Sequence, residues 1–197
     1  MKEITTKIPY KSNPVLLDKV LQDIQKVLSE KLPWLNYAFG RAYKLVEHQT
    51  EGSKFIYPAA YIGNGEYLSL APNDNLGNFS WFDIYDPQKI TQVVQSLPQY
   101  TFSGALVFWY SLSSIYEENT FMNTEEIKEE VLSVLTSPGL IKTIGKLSIT
   151  EICERHENIY KGYSLENTDN QFFMYPYAGL RIEFTLTTRE LCQRFTK

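Results

Sequence analysis

The sequence predicts an α+β fold: a mainly antiparallel β-sheet with two principal helices packed on one face and an extended loop arm. Three observations carry this expectation. Segments 14–31 and 123–137 repeat apolar residues at helical spacing. Strand-like runs are grouped between and after them, without the strand–helix alternation of a parallel sheet. Asn64-Gly65 separates two of these runs, which is a strong hairpin signal.

The first helix, 14–31, carries Leu17, Leu21, Ile24 and Leu28 on one stripe, widened by Val20 and Val27. Lys19, Gln22, Asp23 and Lys26 lie opposite. Asn13 and Pro14 suit its start and Pro33 its end. Arg41 to Glu47 reads as a half-exposed strand. Phe55 to Ile62 reads as an edge strand because Pro58 interrupts it. Glu66 to Leu70 is the return strand of the hairpin. Asn73 to Asn78 is loop chemistry. Phe79 to Tyr85 is a further strand, stopped by Asp86-Pro87.

Residues 88–100 satisfy neither pattern. Ile90, Val93, Val94 and Leu97 have helical spacing, but the stretch is short and Pro98 ends it. Thr101 to Tyr116 carries apolar groups on both parities and predicts a central strand. The second helix, 123–137, opens on Asn123 with Glu126 three residues on, a capping-box pattern. Ile127, Val131, Val134 and Leu135 form its buried stripe, and Ser137-Pro138-Gly139 ends it. Leu147 to Arg155 alternates in part and reads as a strand. Residues 157–176 lack a period yet are rich in aromatics, as expected of a docking arm. Tyr177 to Arg189 is a clear strand, with Leu180, Ile182, Phe184 and Leu186 facing one way.

No shift in composition divides the 197 residues, so a single domain over 1–197 is expected. A chain of this length buries roughly 70% of its unfolded surface, enough for a core without disulfides or a structural metal. Lys and Arg number 19 against 23 Asp and Glu, and this mildly acidic balance argues against a dedicated nucleic-acid binder. No apolar run reaches the length of a membrane span, and the first residues lack the apolar core of a secretory signal. The two cysteines, Cys153 and Cys192, are then expected as free thiols in a reducing cytoplasm.

Motifs that carry chemistry are sparse. Cys153 and His156 form a C-x2-H pair, but zinc needs two more ligands, and His48 and Cys192 are not spaced to supply them. The same pair lacks the surroundings of a thiol nucleophile. Acidic pairs at Glu117-Glu118, Glu125-Glu126 and Glu129-Glu130, and the group Glu151, Glu154 and Glu157, read mainly as solvated faces and helix-dipole partners. Asn73 to Gly77 lacks the terminal Glu of a calcium loop. Asn78-Phe79-Ser80 matches a glycosylation sequon, which has no meaning without secretion. Phosphate-binding, dinucleotide, nucleophile-elbow and zincin motifs are absent from the sequence. The expectation is a non-enzymatic protein without cofactor or metal.

The remaining signal is aromatic. Tyr occurs 14 times and Phe 11. Tyr160, Tyr163, Phe172, Phe173 and Tyr175 gather in the irregular segment and are the candidate interface residues. In element order, size and aromatic loops, the chain resembles the small α+β proteins that form rings at the head–tail junction or tail top of tailed bacteriophages. These are the tail terminator, tail completion and neck proteins. The resemblance implies a non-enzymatic virion subunit in a sixfold or twelvefold homo-oligomeric ring, assembled in the bacterial host cytoplasm. It implies portal, connector or tail proteins as neighbours. DNA would pass through without sequence-specific binding, and no membrane is involved. The alternative is a cytoplasmic bacterial ligand-binding or adaptor α+β domain whose aromatics line a pocket. An enzyme built on a carboxylate pair ranks third.

Overall fold

A computed structural model describes residues 10–48, 54–91, 98–116, 123–140, 145–166 and 168–189. Among them, all eight strands belong to one sheet, in the order β3-β2-β1-β4-β6-β8-β7, with β5 pairing β6 off this path. The strands are β1 Tyr37–His48, β2 Lys54–Gly63, β3 Glu66–Ser69, β4 Phe79–Ile84, β5 Lys89–Thr91, β6 Gln99–Ser111, β7 Gly145–Cys153 and β8 Tyr177–Arg189. Every pairing is antiparallel except β1 with β4, so the fold is α+β.

Helices α1 (Leu17–Lys31) and α3 (Thr124–Leu135) lay their stripes on the same face. Leu21, Ile24, Leu28, Ile127 and Val131 pack there against Phe82, Leu106, Phe108, Leu180, Ile182 and Phe184. Among the described residues no helix is long and apolar enough to cross a membrane.

Several boundaries differ from expectation. The first helix begins at Leu17, because Leu16 takes a positive φ of 47° and turns the chain; Asn13 is not its cap. The predicted strand over 101–116 stops at Ser111, and Leu112–Ile115 form one helical turn, α2. The stop is polar: Ser111 N–H donates to Asn78 Oδ1 at 2.8 Å, and Ser114 Oγ donates to the Ser111 carbonyl at 2.8 Å. In the open region 88–100, Lys89–Thr91 is strand β5, and residues 92–97 lie outside the described set. The hairpin turn is as predicted: Asn64 and Gly65 both have positive φ, 51° and 83°, as a tight two-residue turn requires.

Pro58 does not mark an edge, since β2 lies between β1 and β3. The proline is accommodated because its missing N–H faces the end of the β2–β3 ladder. Its carbonyl accepts Leu70 N–H at 2.8 Å, but it cannot return a bond to the Leu70 carbonyl. That carbonyl accepts the Tyr160 hydroxyl at 3.1 Å.

The segment 157–176 is not an extended arm. It folds onto the sheet face opposite α1 and α3, through a helical turn α4 (His156–Ile159) and a 3-10 turn (Asn170–Phe173). Ser164 fastens it to β2: its N–H donates to the Ile56 carbonyl at 2.7 Å, and its Oγ accepts Ile56 N–H at 3.1 Å. The sequence lacks a period here because the segment covers a sheet by scattered contacts rather than by a repeating element.

Candidate functional site

The face opposite the two long helices carries the unexpected chemistry. Alternation along the strands points Trp81 and Asp83 of β4, Ala105 and Val107 of β6, and Arg181 and Glu183 of β8 to this side. Asp83, Ala105 and Glu183 are aligned across the three strands, and the small alanine leaves room between two carboxylates. Arg181 occupies that room and is 1% exposed. Its Nη2 donates to Asp83 Oδ2 at 2.8 Å, Nε to Glu183 Oε1 at 2.9 Å and Nη1 to the Ile159 carbonyl at 3.0 Å. Nη2 also bonds the Tyr85 hydroxyl.

One cation thus meets two carboxylates, and two phenols supply the missing donors. Tyr85 donates to Glu183 at 2.7 Å and Tyr163 to Asp83 Oδ1 at 3.0 Å. Burial, then the carboxylate each phenol bonds, push Tyr85 and Tyr163 well above their ordinary value of 10.0. Burial works against the Arg181 charge, but the bonds to Asp83, Glu183 and Tyr85 outweigh it and hold the guanidinium more firmly protonated. The cluster is saturated by its own members, so it stiffens the face and ties the folded-back segment to β8.

The five candidate interface residues divide accordingly. Tyr160 is 1% exposed, between Trp81 and Trp109, and belongs to the interior. Tyr163 is half-buried, tied to Asp83, with the Lys44 ammonium 5.0 Å from its ring centre. Phe172 meets the ring of Tyr177 edge-on at 5.1 Å, and Phe173 stacks on His156 at 4.8 Å. Tyr175 is 51% exposed beside an exposed Met174. Interface anchoring therefore does not apply to Tyr160, whose ring fills the chain's own second core.

Cys153 is a half-buried free thiol, and His156 approaches Glu157 Oε1 at 3.6 Å. Burial, then the charges of Glu151 and Glu183, push the Cys153 thiol up, away from a thiolate. Cys192 lies outside the described residues. Among the described residues no three His, Cys, Asp or Glu side chains gather as a metal-binding group. Asn78 of the sequon is fully buried: its Nδ2 donates to the Trp34 carbonyl at 2.9 Å and its Oδ1 accepts Ser111 N–H at 2.8 Å. It joins three chain segments and offers nothing to a glycan. Asp74, in the loop 73–77, accepts the Tyr177 hydroxyl.

The two ends of the sheet differ from each other. Toward the β3 end, in β1, a register shift between Ala38 and Arg41 turns Arg41 and Tyr43 from the side of Phe39 to the side of α1. There they line a cleft of about 240 Å³ with Tyr10, Gln25 and Tyr61. Gln25 is 3% exposed and donates from Nε2 to the Ala38 carbonyl at 2.8 Å. The Arg41 guanidinium lies 6.0 Å from the Tyr43 ring centre. Tyr67 sets its ring against both Tyr43, at 5.9 Å, and Tyr61, at 5.3 Å, and all three are exposed.

At the other end, β7 is the outermost strand and mostly exposed. A register shift between Ile149 and Glu151 turns Glu151 toward the Arg181 face, opposite Glu183. Glu154 joins this edge to α3 through Lys128, which reaches Glu154 at 3.2 Å and Glu125 at 2.5 Å.

The Arg181 cluster and the Arg41 cleft were both missed from the sequence. A signal existed for the first: Asp83 is the one charge in the otherwise apolar run Phe79 to Tyr85. None existed for the second, because a bulge inverts side-chain parity without a local mark in the residues. The chain matches no protein-family model and no curated protein.

Proposed function

We propose that the chain is a non-enzymatic structural subunit of a bacteriophage or prophage neck or tail ring. It is of the tail terminator or tail completion type, bridging head connector and tail around the DNA channel. The observation that carries this reading is the open sheet. Its outer strands, β3 and β7, lie at opposite ends and are largely exposed. The two edges differ in length and in side chains, so a contact between them is head-to-tail and closes by rotation. Element order and size support the phage setting.

The test is the mass of the purified chain in solution across a range of concentrations, with electron microscopy of the assembled fraction. Closed rings of six or twelve copies are the expected result. A chain that stays monomeric at every concentration refutes self-assembly. The alternative, a ligand-binding or adaptor domain, is favoured by the tyrosine-lined cleft beside Gln25. It gains if that monomer is stabilised by a small molecule.

A further inference from the structure

The hairpin turn between β2 and β3 holds a chemically reactive pair. Asn64-Gly65 is the one place in the sequence where glycine follows asparagine; every other asparagine is followed by a residue with a side chain. That matters because the backbone nitrogen after an asparagine can reach its side-chain carbon, and a side chain on the attacking residue crowds the approach. Asn64 and Gly65 are both exposed, and a Cβ built on Gly65 meets nothing within 4 Å, so the turn is open to water on that side. By contrast Asn78 is buried and bonded through both side-chain atoms, and Asn73 is closed on its own loop, accepting Asn75 N–H at 2.9 Å and donating to the Ala71 carbonyl at 2.7 Å. One contact restrains the turn: Gly65 N–H donates to the Tyr61 hydroxyl at 3.1 Å. The Tyr61 ring is itself steadied by Tyr67, its paired residue on β3, with ring centres 5.3 Å apart.

We infer that Asn64 is a site of spontaneous deamidation and that the Tyr61 hydroxyl slows it. The Gly65 nitrogen loses its proton and bonds Asn64 Cγ. The Cγ–Nδ2 bond breaks, and the side-chain nitrogen leaves as ammonia with that proton. Water then opens the cyclic imide, its hydroxyl going to the carbonyl carbon attacked and its hydrogen to the Gly65 nitrogen. Opening at Cγ gives aspartate. Opening at the Asn64 backbone carbonyl gives isoaspartate, with the main chain rerouted through the side chain. Water enters, ammonia leaves, and nothing is oxidised or reduced. The bond to Tyr61 opposes the first step, because it holds the proton that must depart and aims the nitrogen at the hydroxyl. The product bears on the sheet. Isoaspartate lengthens a two-residue loop closed by Gly63 opposite Glu66, and β3, four residues long at the end of the sheet, takes its register from that turn and from β2. The inference is independent of the ring reading.

The experiment ages the full chain at mildly alkaline pH, where the amide proton departs more readily. Peptide mass spectrometry follows amide-to-acid conversion at each asparagine, and enzymatic methylation of isoaspartate identifies the rerouted product. Folded wild type, folded Tyr61→Phe and wild type unfolded in urea are compared, with circular dichroism as the check on folding. Conversion should begin at Asn64, ahead of every other asparagine, and yield both products. Tyr61→Phe keeps the ring and removes the acceptor, so it should convert about two- to tenfold faster, the factor that one neutral hydrogen bond is worth. The unfolded wild type, which also lacks the bond, should convert faster than the folded one. Conversion that begins at another asparagine overturns the site. A Tyr61→Phe protein that converts at the wild-type rate, or an unfolded chain slower than the folded one, overturns the role of the hydroxyl.

Discussion

Replacing Arg181 by Met tests how much of the fold hangs on the buried ion cluster. The substitution keeps the length of the side chain and removes the charge. It strands Asp83 and Glu183, whose side chains are 5% and 14% exposed, on one face with only the Tyr85 and Tyr163 hydroxyls left to them. It also removes the donor to the Ile159 carbonyl, which anchors α4. Breaking a buried pair by deleting one partner costs about 3–5 kcal/mol. For a chain of this size each kcal/mol shifts the midpoint by about 2–4 °C, so Tm should fall by roughly 6–20 °C. Thermal unfolding followed by circular dichroism gives the shift. A double variant, Asp83→Leu with Arg181→Met, should lose less than the sum of the two single losses, because the Asp83–Arg181 pair is removed whole and neither of its charges is left buried without the other. An Arg181→Met protein within about 1 kcal/mol of wild type, or a double variant that is simply additive, would show that the cluster is not coupled as described.

Two further outcomes follow from the same face. Tyr160→Ala should destabilise by about 3–5 kcal/mol in chemical denaturation, since it empties a site between Trp81 and Trp109 and frees the Leu70 carbonyl. Alkaline titration should show late, cooperative tyrosinate absorbance. Tyr85, Tyr160 and Tyr163 hold their protons above 10.0 in the folded state, chiefly through burial. The unfolded chain therefore binds fewer protons from about pH 10 upward, and stability, complete below that pH, falls as pH rises through the folded values. Phenols that ionise individually near pH 10 without loss of structure would contradict their burial.

The helix face of the sheet was legible because its information is local. Leu21, Ile24, Leu28, Ile127 and Val131 each declare a buried stripe within a single helix, and Leu180 to Leu186 declare the matching strand face. The opposite face was not, because its decisive partners are far apart in the chain. Arg181 finds Asp83 ninety-eight residues away and Tyr163 finds Asp83 eighty away. From sequence, Arg181 and Glu183 were only the parity of β8 opposite Leu180 to Leu186, and Tyr160 a candidate interface residue. Pro58 misled for a related reason. Its cost depends on where its absent N–H would point, which only the length of β3 decides.

The same distinction explains why the aromatic segment read as an arm. An irregular backbone with large rings fits either an arm awaiting a partner or a cover over the chain's own sheet. What separates them is whether the sheet face beneath is already closed. The helix-distal face carries Phe79, Trp81, Val107 and Trp109, and α1 and α3 both pack on the other side, so this apolar surface needs a cover. Residues 157–176 lead directly into β8, and Arg181 draws them in by holding the Ile159 carbonyl while Tyr163 bonds Asp83. With Tyr160 and Tyr163 committed inward, the large rings left exposed among the described residues include Tyr175 of this segment and Tyr43, Tyr61 and Tyr67 of β1, β2 and β3.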